Sequence, residues 1–315
     1  MTALLMEARH AIRVLLHTPG FTAAAVLSLA LGIGANSAIF TLLDAAFLRA
    51  LPVERPEELV RVATRTSDGG LHTDFSYPLY AALRDGGAGL LGLAAYAERS
   101  LGLSAGERTE RVGSEYVSAN YFSVLGLACS SGSGLSPDDA RPGAAPVAVI
   151  GHGLSRRLFG VEQEVAGREI LLNGRSFTIV GVAPPSFRGL VRGFRTEVWI
   201  PLSQYRSASQ AADGVPLLAD PHTSWLSLVG RLGPAIPPAG AAAGLTQTLR
   251  GFEPADQAVA GVALTPAASG DDSLVEELGR PLWLLFGAVG LVLAIANSTP
   301  SPASVNMRSS RLASP

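Results

Sequence analysis

The feature that most constrains this chain is an apolar run near its N-terminus. No charged side chain occurs from Phe21 to Leu43, and a helix needs about 20 residues to cross the ~30 Å of hydrocarbon in a bilayer. The run therefore predicts a transmembrane helix over residues 21–48. A cleaved signal peptide is the alternative, but the run is longer than the usual apolar core of about 7–15 residues, and LRALPVERP is a poor cleavage site.

A second apolar run, PLWLLFGAVGLVLAIA, occupies Pro281 to Ala296. We expect a second transmembrane helix over residues 280–297, although its length is marginal for a crossing and a buried soluble helix is the alternative. Acidic residues precede the run and arginines follow it, which favours a crossing from outside to inside. These residues are Asp271, Asp272, Glu276 and Glu277 before the run and Arg308 and Arg311 after it.

Composition supports a membrane protein. The mean hydropathy is +0.30 and 16% of the residues are charged, whereas about a quarter is usual in soluble domains. The net charge is −2 and the basic residues are scattered, so no nucleic-acid partner is predicted. Residues 1–20 fit an interfacial amphipathic helix on the cytoplasmic side, with Leu5 and Ile12 on one face and Glu7 and Arg13 on the other. A short soluble helix is the alternative.

Between the two apolar runs, residues 49–279 predict a folded α+β domain on the outer side of the membrane. A strand is expected near Leu59–Thr66, a helix in DFSYPLYAALRDG and a short helix at Ser118. Alternating residues flank Asn173-Gly174, a pair that accepts the positive φ angles of a type I′ turn, so Glu169–Val182 should form a β-hairpin.

The rest of the domain follows the same reasoning. The segment ACSSGSGLSPDDARPGAAP is rich in Gly, Ser and Pro, which predicts a loop. Towards the C-terminus, SWLSLVGRL predicts a strand, PPAGAAAGLTQTLRGF a helix and DQAVAGVALTP a strand. That order predicts one split β-α-β unit.

No catalytic, cofactor or metal residues are predicted, so the chain is not expected to be an enzyme. Gly151-x-Gly153 follows a strand, but Arg156 stands where a dinucleotide fingerprint requires glycine. The chain has no lysine and therefore no Walker A motif. His72 and Asp74 lack a further ligand at a usable spacing and are assigned to a solvated loop.

Small and polar residues within the first apolar run predict helix packing. Gly32, Gly34 and Ala38 would let a second helix approach closely, and Asn36 would hydrogen-bond across that contact. The alternative is a simple membrane anchor in which the glycines have no role.

Several ordered segments resemble the MacB/FtsX-like ABC transporter permeases, especially the orphan permeases related to macrolide exporters. The opening of that family resembles IRVLLHTPGFTAAAVLSLALGIGANSAIFTLLDAAFLRALP. Its periplasmic core domain is similar to YPLYAALRD, VSANYFSVLGL, PGAAPVAVIGHGLSRRLFG, GREILLNGRSFTIVGVAPPSFRGL and EVWIPL, in this order. The resemblance covers about residues 7–296.

The resemblance implies a multi-pass protein of the bacterial inner membrane that contacts lipid. It implies a partner ABC ATPase that binds ATP, so no cofactor is expected in this chain. It also implies packing against other permease transmembrane helices in a homo- or heterodimer. In such permeases, the transmembrane helices pass ATP-driven motion from the cytoplasm to the periplasmic domain.

This chain departs from the pattern after residue 297. Relatives continue with a coupling helix and further spans, whereas residues 298–315 are polar and aperiodic, which predicts a disordered, atypical tail. We therefore expect a chain truncated after its second transmembrane helix. Two functions stay open: a permease subunit of an ABC-type export or mechanotransmission complex, and a membrane-anchored extracytoplasmic binding or sensory module with no ATP coupling.

Overall fold

A computed structural model describes residues 50–271 with short gaps. The gaps are residues 68, 88, 106–107, 161–164, 206–216, 235 and 253–258, and helical residues scattered between 19 and 37 and Gly287 are also described. The chain divides into two units, Met1–Leu48 with Val275–Pro315, and Arg49–Leu274. The second unit contains the strands and helices below.

The described elements alternate between strands and short helices. The helices are α1 (Tyr77–Asp85), α2 (Tyr121–Val124), α3 (His152–Phe159) and α4 (Pro238–Gly251). The strands are β1 (Leu59–Thr66), β2 (Leu71–His72), β3 (Leu90–Ala105), β4 (Arg108–Val117), β5 (Ser131–Gly132), β6 (Val147–Ile150), β7 (Glu169–Leu172), β8 (Arg175–Val182), β9 (Thr196–Pro201), β10 (Ser227–Leu232) and β11 (Val259–Pro266). Single 3-10 turns occupy Pro56–Glu58, Pro137–Ala140 and Leu202–Gln204.

One half of the domain is an open antiparallel sheet in the order β11-β1-β10-β3. It consists of two β-α-β units, β1-α1-β3 and β10-α4-β11. The second unit is the one that the sequence predicts. The chain between β3 and β10 forms the other half of the domain.

The other half is a closed ring of strands in the order β3-β4-β9-β6-β8-β7, with β7 pairing back onto β3. Two neighbours in the ring, β4–β9 and β6–β8, are parallel and the remaining pairs are antiparallel. Strand β3 belongs to both halves, because its first residues pair with β10 and its later residues pair with β4 and β7. One long strand therefore joins the open sheet to the ring.

Two apolar cores lie on opposite sides of the strands. The first, the inner core, fills the ring and continues under α1 and α4, with Tyr80, Leu103, Phe177 and Ile200 among its members. The second, the outer core, covers the other side and is rich in aromatic residues: Tyr96, Tyr121, Phe122, Phe187 and Trp199. Strand residues alternate between the two cores, as Trp199 and Ile200 of β9 show.

Local chemistry explains the best-predicted elements. Ser76 caps α1 by accepting from the backbone N–H of Leu79 at 3.4 Å, and α1 buries Tyr80 and Leu83. The hairpin of β7 and β8 turns at Asn173 (φ 47°) and Gly174 (φ 80°), the positive angles that a type I′ turn requires. These predictions, and the α+β class of the domain, are confirmed.

Two local predictions need correction. The short helix predicted at Ser118 begins at Tyr121, because Ser118 instead accepts from the backbone N–H of Ala95 and donates to Asn120. The predicted Gly/Ser/Pro loop contains β5 and a 3-10 turn. Strand β5 has no apolar pattern, since it is defined only by backbone pairing with β8.

Most residues of the two apolar runs lie outside the described part of the chain. Within the described residues, no helix has both the length and the apolar character that a bilayer crossing needs.

Candidate functional site

The chain enters and leaves the domain at one place, which we call the junction. The backbone N–H of Leu51 donates to the carbonyl oxygen of Ala268 at 2.8 Å. This bond joins the incoming segment, residues 51–58, to the outgoing segment, residues 267–271. Both segments pack on the outer core through Leu51, Val53 and Ala267. A displacement of either segment is therefore felt by the other.

Arg231 of β10 fixes the incoming segment to the open sheet. Its buried guanidinium donates to the carbonyl oxygens of Glu54 at 2.8 Å and Arg55 at 3.2 Å, and to Glu58 Oε2 at 3.0 Å. It also donates to the carbonyl oxygen of Val124, the last residue of α2, at 2.7 Å. Because a buried charge is tolerated only when it is paired and hydrogen-bonded, the incoming segment, α2 and β10 are held together.

Arg61 of β1 and Tyr96 of β3 fix the outgoing segment through Asp271. Arg61 Nη1 pairs with Oδ1 of the buried Asp271, and the hydroxyl of Tyr96 donates to Oδ2 at 2.6 Å. Burial, followed by the charge of Asp271, raises the pKa of Tyr96 well above its usual value, so Tyr96 stays a donor. The Asp271 carboxylate is therefore held by one positive and one neutral donor.

The backbone of the outgoing segment is also fixed, by the loop between β8 and β9, residues 183–195. The N–H of Asp271 donates to the carbonyl oxygen of Leu190 at 2.9 Å, and its carbonyl oxygen accepts from the N–H of Arg192 at 3.2 Å. Gly270 adopts a φ of 99°, and a Cβ at this position would lie 2.6 Å from the carbonyl oxygen of Leu190. Only glycine allows this approach.

A second buried carboxylate, Glu115 of β4, lies on the side of the ring that faces the outer core. Its Oε2 accepts from the hydroxyl of Tyr121 at 2.7 Å and from Trp199 Nε1 at 3.0 Å. Its Oε1 accepts from Thr196 Oγ1 at 2.7 Å. These three donors are neutral, and burial raises the pKa of Glu115 to about 7. The hydrogen bonds oppose this rise without cancelling it.

The two carboxylates belong to one continuous group of side chains. The rings of Tyr96, which donates to Asp271, and Tyr121, which donates to Glu115, have centroids 6.3 Å apart. Gly189, in the loop that holds Asp271, approaches so closely that a Cβ there would lie 2.4 Å from Glu115 Oε1. The junction and the ring are therefore in direct contact through this group.

Comparison with known families identifies the domain. The model of the family described as MacB-like periplasmic core domain matches residues 22–248, more than half of the chain. The chain belongs to this family. It thus carries the periplasmic core domain of an ABC-type permease family, as the ordered sequence motifs predict.

Individual relatives agree with the MacB-like assignment over parts of their length. The Probable export ATP-binding/permease protein MacB of Pseudomonas entomophila is 36% identical over 85 residues, which are 27% of this chain and 13% of that protein. A protein of Pseudomonas fluorescens with a similar printed name gives the same identity and coverage. The match therefore spans a small part of the curated relatives.

Solved structures share the fold. A domain of a permease protein from Porphyromonas gingivalis superposes with a TM-score of 0.54 at 14% identity, covering 72% of this chain and 98% of that one. The periplasmic region of MacB from Actinobacillus actinomycetemcomitans gives a TM-score of 0.48 at 15% identity, covering 70% and 92%.

The residues that the sequence singles out for helix packing are only partly described. Gly32 and Gly34 are helical, and no heavy atom lies within 4 Å of the point where a Cβ of Gly34 would be. Asn36 and Ala38 lie outside the described residues. The packing role of all four stays a prediction. In the described residues, no group of three His, Cys, Asp or Glu side chains is arranged to hold a metal ion.

Sequence reasoning does not find the junction of this MacB-like domain. Arg61 and Asp271 are 210 residues apart, and Arg231 lies far from Glu54 along the chain. The available signal is an arginine inside an otherwise apolar strand, as in Ser227–Leu232, where a buried cation requires buried acceptors. The positions of those acceptors depend on how the strands are ordered in the sheet.

Proposed function

We propose that this chain is a permease subunit of an ABC-type export or mechanotransmission complex. In this proposal, residues 21–48 and 280–297 cross the bacterial inner membrane as part of a multi-pass protein, and residues 49–279 are periplasmic. Residues 1–20 lie at the cytoplasmic interface and residues 298–315 form a disordered tail. Truncation after residue 297 stays a prediction.

The junction is the observation that carries the proposal. Both connections between the folded domain and the apolar runs leave from one place, where Leu51 and Ala268 are hydrogen-bonded. Arg231 and Arg61 then fix the two segments to neighbouring strands of one sheet. Relative movement of two helices would therefore be delivered to the strands β1 and β10 and, through the shared strand β3, to the ring.

Exposed apolar side chains in the first run support its membrane assignment. Val26, Leu27 and Ile33 are helical and 59%, 69% and 61% exposed. Large apolar side chains with this exposure require lipid or partner helices around them. The proposed packing surface of Gly32, Gly34, Asn36 and Ala38 would face such helices in a homo- or heterodimer.

The energy source in this proposal is a separate ABC ATPase that binds ATP. The relative from Pseudomonas entomophila carries both functions in its printed name, export ATP-binding and permease. The chain described here matches a segment of that protein and has no lysine for a Walker A motif. An ATPase on a second polypeptide would therefore complete the complex.

Distance measurements in a reconstituted complex test the proposal. The full chain is co-expressed with an ABC ATPase encoded beside it, purified in detergent and spin-labelled at Arg175→Cys in the ring and Arg250→Cys in α4, both exposed. We expect the ATPase to co-purify and the label distance to differ between the ATP-bound and ADP-bound complexes. In Arg61→Met, ATPase binding should remain and the distance change should be lost.

Arg156→Met is the matched control, because Arg156 is exposed on α3 and lies outside the junction. This variant should keep the nucleotide-dependent distance change. Absence of any ATPase in the purified material after crosslinking, or a distance change that Arg61→Met leaves intact, would contradict the proposal.

A groove beside the ring favours a second candidate, a membrane-anchored extracytoplasmic binding or sensory module without ATP coupling. The groove has a volume of about 560 Å³ and is lined by Leu158, Phe159, Ile170 and Leu171 with Ser104, Glu169 and Ser176. That size and mixture of apolar and polar groups suit a small ligand. Ligand binding that does not change with nucleotide, in a chain that recruits no ATPase, would support this candidate instead.

A further inference from the structure

Glu115 faces a second acidic residue across the strand pair. In the β3–β4 register, Glu115 lies directly opposite Glu98, which is half-buried. Like charges at directly opposed positions of an antiparallel pair destabilise it. With Glu115 fully buried and its three described donors neutral, the ionised form of this side chain lacks a compensating positive charge.

The hydrogen bonds around Glu115 suit the neutral acid as well as the carboxylate. Tyr121 and Trp199 both donate to Oε2, so they keep their acceptor when a proton is on Oε1. A protonated Oε1 can donate to Thr196 Oγ1, since a hydroxyl both donates and accepts and can rotate. One proton therefore binds without leaving any of these three groups unpaired.

The Glu115 side is mechanically connected to the outgoing segment. Gly189 lies against Glu115 Oε1, and the N–H of Thr196 donates to the carbonyl oxygen of Arg188 at 3.0 Å. One and three residues after Gly189, Leu190 and Arg192 hold the backbone of Asp271. A change in the charge of Glu115 is thus felt by the loop that fixes the outgoing segment.

We propose that Glu115 is a reversible proton site whose charge sets how firmly the 183–195 loop holds the outgoing segment. Titratable and charged groups face it from each neighbouring element: Glu98 and Tyr96 from β3, Tyr121 from α2, and Asp271 and Arg61 behind Tyr96. The neutral acid packs against the loop without a buried charge, so acid conditions tighten the contact. Ionisation at higher pH loosens it.

Two readouts on the full chain in detergent test this inference. Trp199 is a built-in reporter, because its indole N–H donates to Glu115. The indole N–H resonance of Trp199 should move through a single one-proton transition near neutral pH. Hydrogen exchange at Gly270 and Asp271, corrected for the intrinsic effect of pH, should be several-fold slower at pH 5.5 than at pH 8.

Two variants decide the outcome. Glu115→Gln should abolish the transition and make exchange in the outgoing segment equal at both pH values. Glu98→Gln keeps Glu115 and removes the opposing charge, so the transition should move to lower pH. A transition that persists in Glu115→Gln, one that does not move in Glu98→Gln, or exchange that ignores pH in the unmodified chain would each overturn the inference. Loss of ATPase recruitment would affect none of these readouts, so the permease proposal fails separately.

Discussion

Asp271 and Glu115 are both buried carboxylates next to the outer core, and they are stabilised in opposite ways. Asp271 is paired with Arg61 and receives a hydrogen bond from Tyr96. Glu115 receives three hydrogen bonds from neutral groups and faces Glu98. The first arrangement fixes a charge in one place. The second leaves the charge free to disappear by protonation.

The difference follows from what each site has to hold. The outgoing segment connects to the second apolar run, and a buried ion pair gives it a defined position on β1 and β3. Glu115 lies where β4, β9, α2 and the 183–195 loop meet, and uncharged hydrogen bonds join these elements there. The following predictions separate the two arrangements, starting with the largest expected effect.

Arg61→Met should destabilise the domain by about 3–5 kcal/mol, because it leaves the buried Asp271 without a positive partner. The measurement is urea unfolding of the full chain in detergent, followed by tryptophan fluorescence. The double variant Arg61→Met/Asp271→Asn should recover most of the loss, since it removes both charges. A loss below about 1 kcal/mol in the single variant would show that the ion pair does not fix the outgoing segment.

The stability of the domain should fall as the pH rises through about 7, because the folded-state pKa of Glu115 lies above its ordinary value of 4.5. The folded state binds this proton more tightly than the unfolded state, so the contribution is complete below about pH 4.5 and is lost above about pH 7. Its size is about 3 kcal/mol, from the difference between 4.5 and about 7.

Glu115→Gln provides the comparison for this pH dependence. The amide keeps the shape of the acid and carries no charge, so the fall in unfolding free energy between pH 5 and 8 should be strongly reduced. The variant should equal or exceed the unmodified chain in stability at pH 8. A pH profile that Glu115→Gln leaves unchanged would assign the titration to another group.

Tyr121→Phe and Tyr96→Phe each remove one hydroxyl that donates to a buried carboxylate. A hydrogen bond to a charged group contributes about 1.5–3 kcal/mol, and one between neutral groups about 1 kcal/mol. The cost of Tyr121→Phe in unfolding free energy should therefore grow as Glu115 ionises between pH 5 and 8. The cost of Tyr96→Phe should not follow that titration, and equal pH profiles for the two variants would contradict the distinction.

The predictability of these regions differs for a physical reason. The Asn173–Gly174 hairpin is determined by residues adjacent in the chain, so its pattern is visible in the sequence, and the structure has the same strands around the same turn. The unit β10-α4-β11 is likewise set by local periodicity. The ring is not, because its closure depends on β7 pairing with β3, about 70 residues away along the chain.

The buried carboxylates are the least predictable feature. Asp271 reads as one of several acidic residues in front of an apolar run, and nothing local distinguishes it from Asp272. Glu115 lies between Ser114 and Tyr116 in a strand that both cores cover, and an acid in such a strand is its only local signal. Their partners come from β1, β3, β9 and α2, so the sites exist only once the strand order is known.

An exposed arginine pair gives the smallest expected effect and calibrates the others. Arg157 of α3 donates to Glu110 at 3.0 Å and to both carboxylate oxygens of Glu197 at 3.1 Å. The side chains of Arg157 and Glu110 are 41% and 46% exposed, so water and salt screen the attraction and the free arginine is well solvated. Arg157→Ala should therefore cost less than about 1 kcal/mol in urea unfolding, and raising the salt concentration should shrink that cost further. Arg61 makes fewer hydrogen bonds to carboxylates among those described, yet its loss should cost several times more, because its partner has no water to replace it. If Arg157→Ala were as damaging as Arg61→Met, burial would not be what distinguishes the junction from the surface.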